Sequence, residues 1–139
     1  MTLSEAQTLL PVLGALIKRA REAAVRAGKA ESEIQDLSQR IFLMGGLNVN
    51  VAAAARQRAE RDKAVEEAKS TIEEIEEIGA QVKDLDEQSV EIACTVEGRQ
   101  VLLGWKVGEP EITHWREQED AADIKRVLDH RFGKGERLN

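Results

Sequence analysis

The residues best suited to chemistry in this sequence lie in one short stretch after the second predicted strand. Glu109, Glu111 and His114 offer two carboxylates and an imidazole, with Trp105 and Trp115 on either side. Oxygen and nitrogen ligands at this spacing can hold a divalent metal ion, or one of them can act as a general base, if the turn brings them together. In an extended chain Glu109 and Glu111 point to the same side, whereas His114 needs a bend. These five residues are the predicted metal or ligand site.

The same stretch also fits a purely structural role, which the sequence favours over a site. Gly108 to Glu111 is typical of a turn, in which Pro110 presets one backbone angle. Trp105 and Trp115 would then fill the junction between the strands and the helices. Convergence of the carboxylates and the imidazole in one pocket would separate the two interpretations.

Other catalytic signatures are missing from the sequence. It contains neither a Gly-x-Ser-x-Gly nucleophile motif nor a glycine-rich phosphate loop. The one cysteine, Cys94, can form neither an internal disulfide nor a cysteine-rich zinc site. It falls on the inward face of a predicted strand, where cysteine behaves as a small hydrophobe. We therefore expect no cofactor other than a divalent metal, and the sequence leans against an enzyme.

The composition argues against several classes of partner. The net charge of −6 disfavours nucleic acids and anionic membranes, because binding to both depends on positive charge. The apolar run from Leu9 to Ile17 is shorter than the roughly 20 residues that span a bilayer. Glu5 precedes this run and basic residues follow it, the reverse of a signal peptide. With a single cysteine, these features predict a cytoplasmic protein without nucleic-acid or membrane partners.

Two long helices precede the candidate site. Apolar residues at alternating spacings of three and four predict one helix over about 3–44 and another over about 50–78. Gly45-Gly46 lies between them, so the helices should form an antiparallel hairpin. Pro11 predicts a kink or a broken first turn. Two overlapping capping boxes mark the start: Thr2 with Glu5, and Ser4 with Gln7.

Charge and apolar patterning predict how the helices pair. The early half of the first helix is basic and the late half of the second is acidic, which places residues near 23 beside residues near 70. The narrow apolar stripe is close to a coiled-coil seam and longer than one partner can cover. We therefore expect the helical hairpins of two copies to form a homodimer. A different protein is the other partner that this stripe could accept.

After Gly79 the apolar period changes from 3.6 to 2. This change predicts strands over about 89–96 and 99–107, joined by a two-residue turn at Glu97-Gly98. Val82 to Leu85 suggests a third strand. A hairpin is not stable alone, so we expect Leu9 to Ile17 to cover its apolar face. The turn predicts four cross-strand pairs: Val96 with Arg99, Cys94 with Val101, Ile92 with Leu103, and Val90 with Trp105.

The predicted fold is therefore α+β and mostly helical. A long antiparallel helical hairpin is followed by a small antiparallel β-hairpin or meander. A short closing helix is expected over about 119–132, where Ala122, Ile124, Val127 and Leu128 are apolar. We expect a single domain over 1–132 and a flexible tail over 133–139.

Several of these residues resemble a known family. The opening Thr2 to Pro11, the Gly45-Gly46 pair, and Gly79 followed by Val82 to Leu85 are similar to the bacterial domain-of-unknown-function family 2203. The closest match is Gly98-Arg99, Val101 to Leu103, Trp105, Gly108 to Ile112 and Trp115. The resemblance covers roughly residues 1–117. It implies a small cytosolic bacterial protein with no assigned reaction.

The sequence departs from the family pattern at three places. Gly104 stands where the family usually has Cys, and Arg116 stands where it usually has His, with His114 on the other side of Trp115. Asp120 to Ile124 replaces a Gly-Phe-Ala-Gly-Arg-like segment. If the family residues form a site, this chain has lost or altered it.

Two functions from different classes follow from the sequence. The favoured one is a self-associating interaction or scaffold protein. The alternative is a protein that binds a divalent metal or a small molecule, or an enzyme, through Glu109, Glu111 and His114. A nucleic-acid partner is the third and weakest hypothesis.

Overall fold

The fold is α+β, with two long helices followed by a five-stranded antiparallel sheet. A computed structural model describes residues 1–43, 51–121 and 124–128. The strands lie in the sheet in chain order, from β1 to β5. Neither helix contains an apolar run long enough to cross a bilayer. The elements are α1 (Leu3–Leu43), α2 (Val51–Ile78), β1 (Ala80–Asp84), β2 (Ser89–Val96), β3 (Arg99–Lys106), β4 (His114–Glu117) and β5 (Arg126–Val127).

The chain forms two compact units. The sheet unit contains Met1–Lys18 and Ile72–Asn139, and the helical unit contains Arg19–Thr71. The expectation of a single domain over 1–132 stays a prediction.

The first helix begins at one of the two predicted capping boxes. The Glu5 amide donates to Thr2 Oγ1 (3.2 Å), and the Thr2 amide donates to Glu5 Oε1 (3.4 Å). Gln7 is used differently, since its Oε1 accepts the amide of Ile112 at 3.2 Å. The helix runs unbroken through Pro11, so the broken first turn was wrong, while the kink, the other expectation for Pro11, stays a prediction. Burial of the neighbouring Leu10 and Leu13 offsets the hydrogen bond that proline removes.

The β2–β3 hairpin has the predicted register. All four expected pairs are present, from Val96 opposite Arg99 to Val90 opposite Trp105. Glu97 and Gly98 both have positive φ (50° and 77°), as a type I′ turn requires. The suggested third strand is present as β1, which pairs with β2.

The core of the sheet unit lies between the start of α1 and the inner face of the sheet. Leu13 and Ile17 are fully buried and belong to the same cluster as Ile92 and Leu103. The predicted cover of the hairpin by the 9–17 segment is therefore confirmed. A Cβ at Gly14 would lie 3.3 Å from the ring of Trp105, so the helix approaches β3 closely at this point.

The predicted closing helix is wrong over the part of the chain that the structure describes. Residues 119–121 and 124–128 contain no helix; instead β5 pairs with β4, with Trp115 opposite Arg126. Two hydrogen bonds join this segment to β4 and to the residue before it. Leu128 N donates to Thr113 O (3.1 Å), and Trp115 Nε1 donates to Val127 O (3.2 Å). These tertiary bonds override the local helical pattern. Residues 122–123 and 129–132 and the 133–139 tail lie outside the described residues.

The helical unit pairs α1 and α2 in the expected register. Arg26 contacts Glu67 (2.7 Å) and Arg61 contacts Glu31 (3.0 Å), which agrees with residues near 23 lying beside residues near 70. Among the residues of this unit that the structure describes, the buried side chains are small: Ala20, Ala23, Ala30, Ala64 and Thr71. The predicted connection at Gly45-Gly46 lies outside the described residues.

Candidate functional site: a cleft on the outer face of the sheet

The outer face of the sheet carries the residues that alternate with the buried ones on β2, β3 and β4. Gly104 of β3 lies opposite Glu91 of β2 on one side and His114 of β4 on the other. Leu102, two residues away on the same face, lies opposite Arg116. Because side chains alternate along a strand, these five residues share one face.

A cleft of about 610 Å³ opens at this face. This volume falls within the roughly 300–1,000 Å³ of ordinary small-molecule sites. The structure thus gathers, from segments far apart in the chain, one concave surface with both charged and apolar side chains. The residues that line the cleft are Lys83, Glu87, Ser89, Val90, Glu91, Leu102, Gly104, Trp105, Lys106, Glu109, His114, Trp115, Arg116, Ile124 and Lys125.

Four of the five predicted site residues border this cleft. Glu109 and His114 line it, and so do Trp105 and Trp115, which are only 6% and 5% exposed and belong to the core. Glu111 does not line the cleft and is exposed. The structure therefore brings part of the predicted set together and separates Glu111 from it.

Glu109 has a structural task in the turn after β3. Its carboxylate accepts the Lys106 amide (2.8 Å), and its carbonyl accepts Trp105 Nε1 (3.0 Å). Its own amide donates to the Lys106 carbonyl (3.0 Å), while Gly108 has a φ of 104°. The structural role expected for this turn is therefore present, although Glu109 itself also borders the cleft.

The predicted metal ligands do not gather into one set. Within residues 1–43, 51–121 and 124–128, no group of three or more His, Cys, Asp and Glu side chains could hold a metal ion. His114 instead shares a hydrogen bond between its Nδ1 and Thr113 Oγ1 (2.8 Å). The assignment of Glu109, Glu111 and His114 as ligands stays a prediction.

An ion pair that sequence reasoning missed crosses the cleft. Arg116 binds Glu91 through two bonds, Nε to Oε2 (2.5 Å) and Nη2 to Oε1 (2.8 Å). The two side chains are only 15% and 13% exposed. Hydrogen bonding to Glu91 raises the pKa of Arg116. The residues lie 25 positions apart, and only the register of β2, β3 and β4 brings them together.

A second charged group holds the segment that follows β4. Asp120 accepts two bonds from Arg126 (2.8 and 2.9 Å) and one from the Glu117 amide (2.9 Å). The bonds from Arg126, and then the one from the Glu117 amide, lower the pKa of Asp120 from 3.8 to about 2. The Arg126 guanidinium also lies 5.4 Å from the centre of the Trp115 ring. This segment supplies Ile124 and Lys125 to the cleft.

Two of the residues at which the sequence departs from the pattern implied by the family resemblance lie in the cleft. Gly104 and Arg116 both line it. The third departure, Asp120 to Ile124, contributes Ile124. The altered positions that looked unrelated in sequence therefore meet at one surface.

Comparison with known proteins shows the family of this chain. Residues 1–127 match the family described as "Uncharacterized conserved protein (DUF2203)", and the chain belongs to that family. No curated protein and no solved structure matches it.

Proposed function

We propose that this protein binds a small molecule in the cleft on the outer face of its sheet. The observation that carries the proposal is that polar and apolar side chains from four strands and the segment after β4 line one cleft of ligand size. His114 and Glu109 supply the groups that can bond to a ligand, and Leu102 and Ile124 supply apolar surface.

The Glu91–Arg116 pair supports a preformed site. Its two bonds and low exposure hold both side chains in one geometry across β3. A wall that is already ordered costs less entropy when a ligand binds. On an ordinary solvated sheet face, side chains are not held in one geometry in this way before a ligand binds.

A fragment screen followed by amide NMR shifts tests the proposal. We expect at least one fragment to shift the amides of Leu102, Gly104 and His114, with no comparable shift at Val25 or Arg58 of the helical unit. His114→Ala should weaken such binding about fivefold to tenfold, the equivalent of one hydrogen bond. The matched control is Thr95→Ala, an exposed residue of β2 that does not line the cleft. Fragments that leave the cleft amides unmoved would contradict the proposal.

The second proposed function is self-association through the helical unit, as an interaction or scaffold protein. The observation that favours it is a small buried seam combined with exposed apolar side chains. The described core of this unit is mostly alanine, while Phe42, Leu43 and Val51 are 84%, 79% and 72% exposed. Covering these side chains with a second copy in a coiled-coil arrangement, or with another protein, would remove apolar surface from water.

The oligomeric state tests this second proposal. We expect a dimer at micromolar concentration in sedimentation velocity, and a monomer when Phe42 and Leu43 are both changed to Ser. Because both side chains are already exposed, the change should leave the monomer folded. Val127→Ser, which alters another exposed apolar residue but in the sheet unit, is the control and should not dissociate the dimer. A monomeric natural protein would refute self-association.

We also propose a cytoplasmic location in a bacterium. The support for the location is the single, buried Cys94. The bacterial source follows from what the sequence resemblance implies. The net charge of −6 supports the absence of a nucleic-acid partner.

A further inference from the structure

Gly104 occupies a position in the central strand where the fold itself does not require glycine. Its φ is not positive, unlike those of Gly79, Gly98 and Gly108. The pairing of β3 with β2 and with β4 runs through Gly104 without a bulge. A Cβ at this position would meet no atom within 4 Å. Glycine inside a strand costs roughly 0.5–1 kcal/mol relative to alanine, so the fold loses stability here without a conformational reason.

The missing side chain opens a slot in the floor of the cleft. Glu91 and His114 stand directly across from Gly104 on the two neighbouring strands, and Leu102 and Lys106 flank it along β3. A ligand can therefore lie against the β3 backbone between these side chains. A glycine where no turn or bulge needs one often marks such a close approach.

The charges around the slot favour an anion. The carboxylate of Glu91 is paired with Arg116, and that of Glu109 accepts the Lys106 amide. In the described ranges no ion pair involves Lys106 or Lys125, although both line the cleft. Two ammonium groups without a carboxylate partner thus face a cleft in which the carboxylates of Glu91 and Glu109 are engaged, and Glu87 is the third carboxylate that lines it.

The apolar contribution comes from both sides of the slot. Leu102 is half-buried on β3, and Ile124, 42% exposed, lies in the segment after β4. Both line the cleft. A flat apolar body fits between them better than a compact inorganic ion, which would leave this surface in contact with water.

We propose that Gly104 determines what the cleft accepts, and that the ligand is a small organic anion with a flat apolar body. The body lies on β3 over Gly104, and a carboxylate or phosphate group contacts Lys106 and Lys125. This inference rests on the proposed small-molecule function and specifies its ligand class.

Two fluorescent probes with the same aromatic body test the inference. Anilinonaphthalene sulfonate carries an anionic group, and phenylnaphthylamine is its neutral counterpart. We expect the sulfonate to bind the folded protein at one site and at least about tenfold more tightly than the neutral probe. Lys106→Gln and Lys125→Gln should each weaken sulfonate binding up to about fivefold, as for an exposed ion pair, and leave the neutral probe unchanged.

Substitution at Gly104 tests the slot directly. Gly104→Val should weaken sulfonate binding at least about tenfold, because the side chain occupies the place of the ligand. Gly104→Ala, the milder change, should weaken binding while raising or preserving the urea midpoint. The control is Gly28→Ala in α1, where a Cβ also meets nothing within 4 Å and where binding should not change. Unfolding curves of each variant keep a loss of binding distinct from a loss of fold.

Competition distinguishes the two anionic groups. Benzoate and phenyl phosphate share a ring and differ in the anion, so the stronger competitor for the sulfonate identifies the preferred group. If fragments bind at the cleft but bind equally well to the Gly104→Val variant, or without preference for negative charge, this inference is overturned while the proposed function stands. If no fragment binds at the cleft, both are overturned.

Discussion

The Glu91–Arg116 pair makes the sharpest energetic prediction. Arg116→Leu leaves a carboxylate that is only 13% exposed without its partner, and Glu91→Leu leaves a guanidinium that is 15% exposed. Removing one member of a fully buried pair costs about 3–5 kcal/mol, and an exposed pair contributes about 0–1 kcal/mol. For this partly exposed pair we expect each single change to lower the free energy of unfolding by about 2–3 kcal/mol.

The double variant should be much more stable than the two single variants suggest. Two leucines leave no uncompensated charge and add apolar surface, so we expect a coupling energy of about 1.5–3 kcal/mol. Urea unfolding followed by Trp fluorescence measures it, since both Trp residues lie in the sheet unit. The same cycle on Arg26 and Glu67, which are 57% and 36% exposed, should give less than about 0.5 kcal/mol. Because this pair lies in the helical unit, its unfolding is followed by far-UV circular dichroism.

Additive effects at Glu91 and Arg116 would refute this reasoning. A coupling below about 0.5 kcal/mol would mean that the pair is solvated like any surface pair. A coupling that disappears in high salt would lead to the same conclusion, because screening acts mainly on exposed charges.

Three further predictions follow. The pKa of Asp120 is lowered from 3.8 to about 2, so the stability that this carboxylate contributes is present above about pH 4 and is lost as the pH falls towards 2. Asp120→Asn should therefore flatten the acid unfolding curve between these pH values. An unchanged curve would contradict the contact between Asp120 and Arg126. Leu13→Ala, at a fully buried position, should lower the free energy of unfolding in urea by about 3–5 kcal/mol. Val12→Ala, at a position 48% exposed, should lower it by well under about 1 kcal/mol. Similar values for the two variants would mean that α1 does not pack on the sheet in this way. Glu109→Ala removes the acceptor of the Lys106 amide and should lower the free energy of unfolding by about 1 kcal/mol. Glu111→Ala, at an exposed position, should lower it by less than about 0.5 kcal/mol. Equal values in urea unfolding would argue against the contact between Glu109 and the Lys106 amide.

Local patterns were enough to predict the helices and the hairpin. The helix start at Thr2 and Glu5 depends on residues three apart, and the hairpin register depends on a two-residue turn. Contacts between residues this close in the chain can be predicted from the sequence, because the local pattern of residue types reflects them directly. The alternation of apolar residues also identified which face of the hairpin α1 covers.

The segment after β4 shows where local patterns fail. Ile124, Val127 and Leu128 have a helical spacing, yet residues 126–127 form a strand. The deciding partners are the ring nitrogen of Trp115 and the carbonyl of Thr113, which lie too far back along the chain to enter a helical period. The short β4 escaped prediction for the same reason, since four residues carry little periodicity.

The sequence determined part of the candidate site, and the tertiary structure decided the rest. The sequence by itself determined only that Glu109, His114 and the two Trp residues are near one another along the chain, on either side of a turn. Only the tertiary structure separated Glu111 from them, paired Glu91 with Arg116, and placed Gly104 on the floor of a cleft. These relations depend on the register of three strands and on which side chains face outwards. The turn sets the register of β2 on β3, but the register of β4 on β3 is set by packing of the sheet against α1, and no short stretch of sequence contains it.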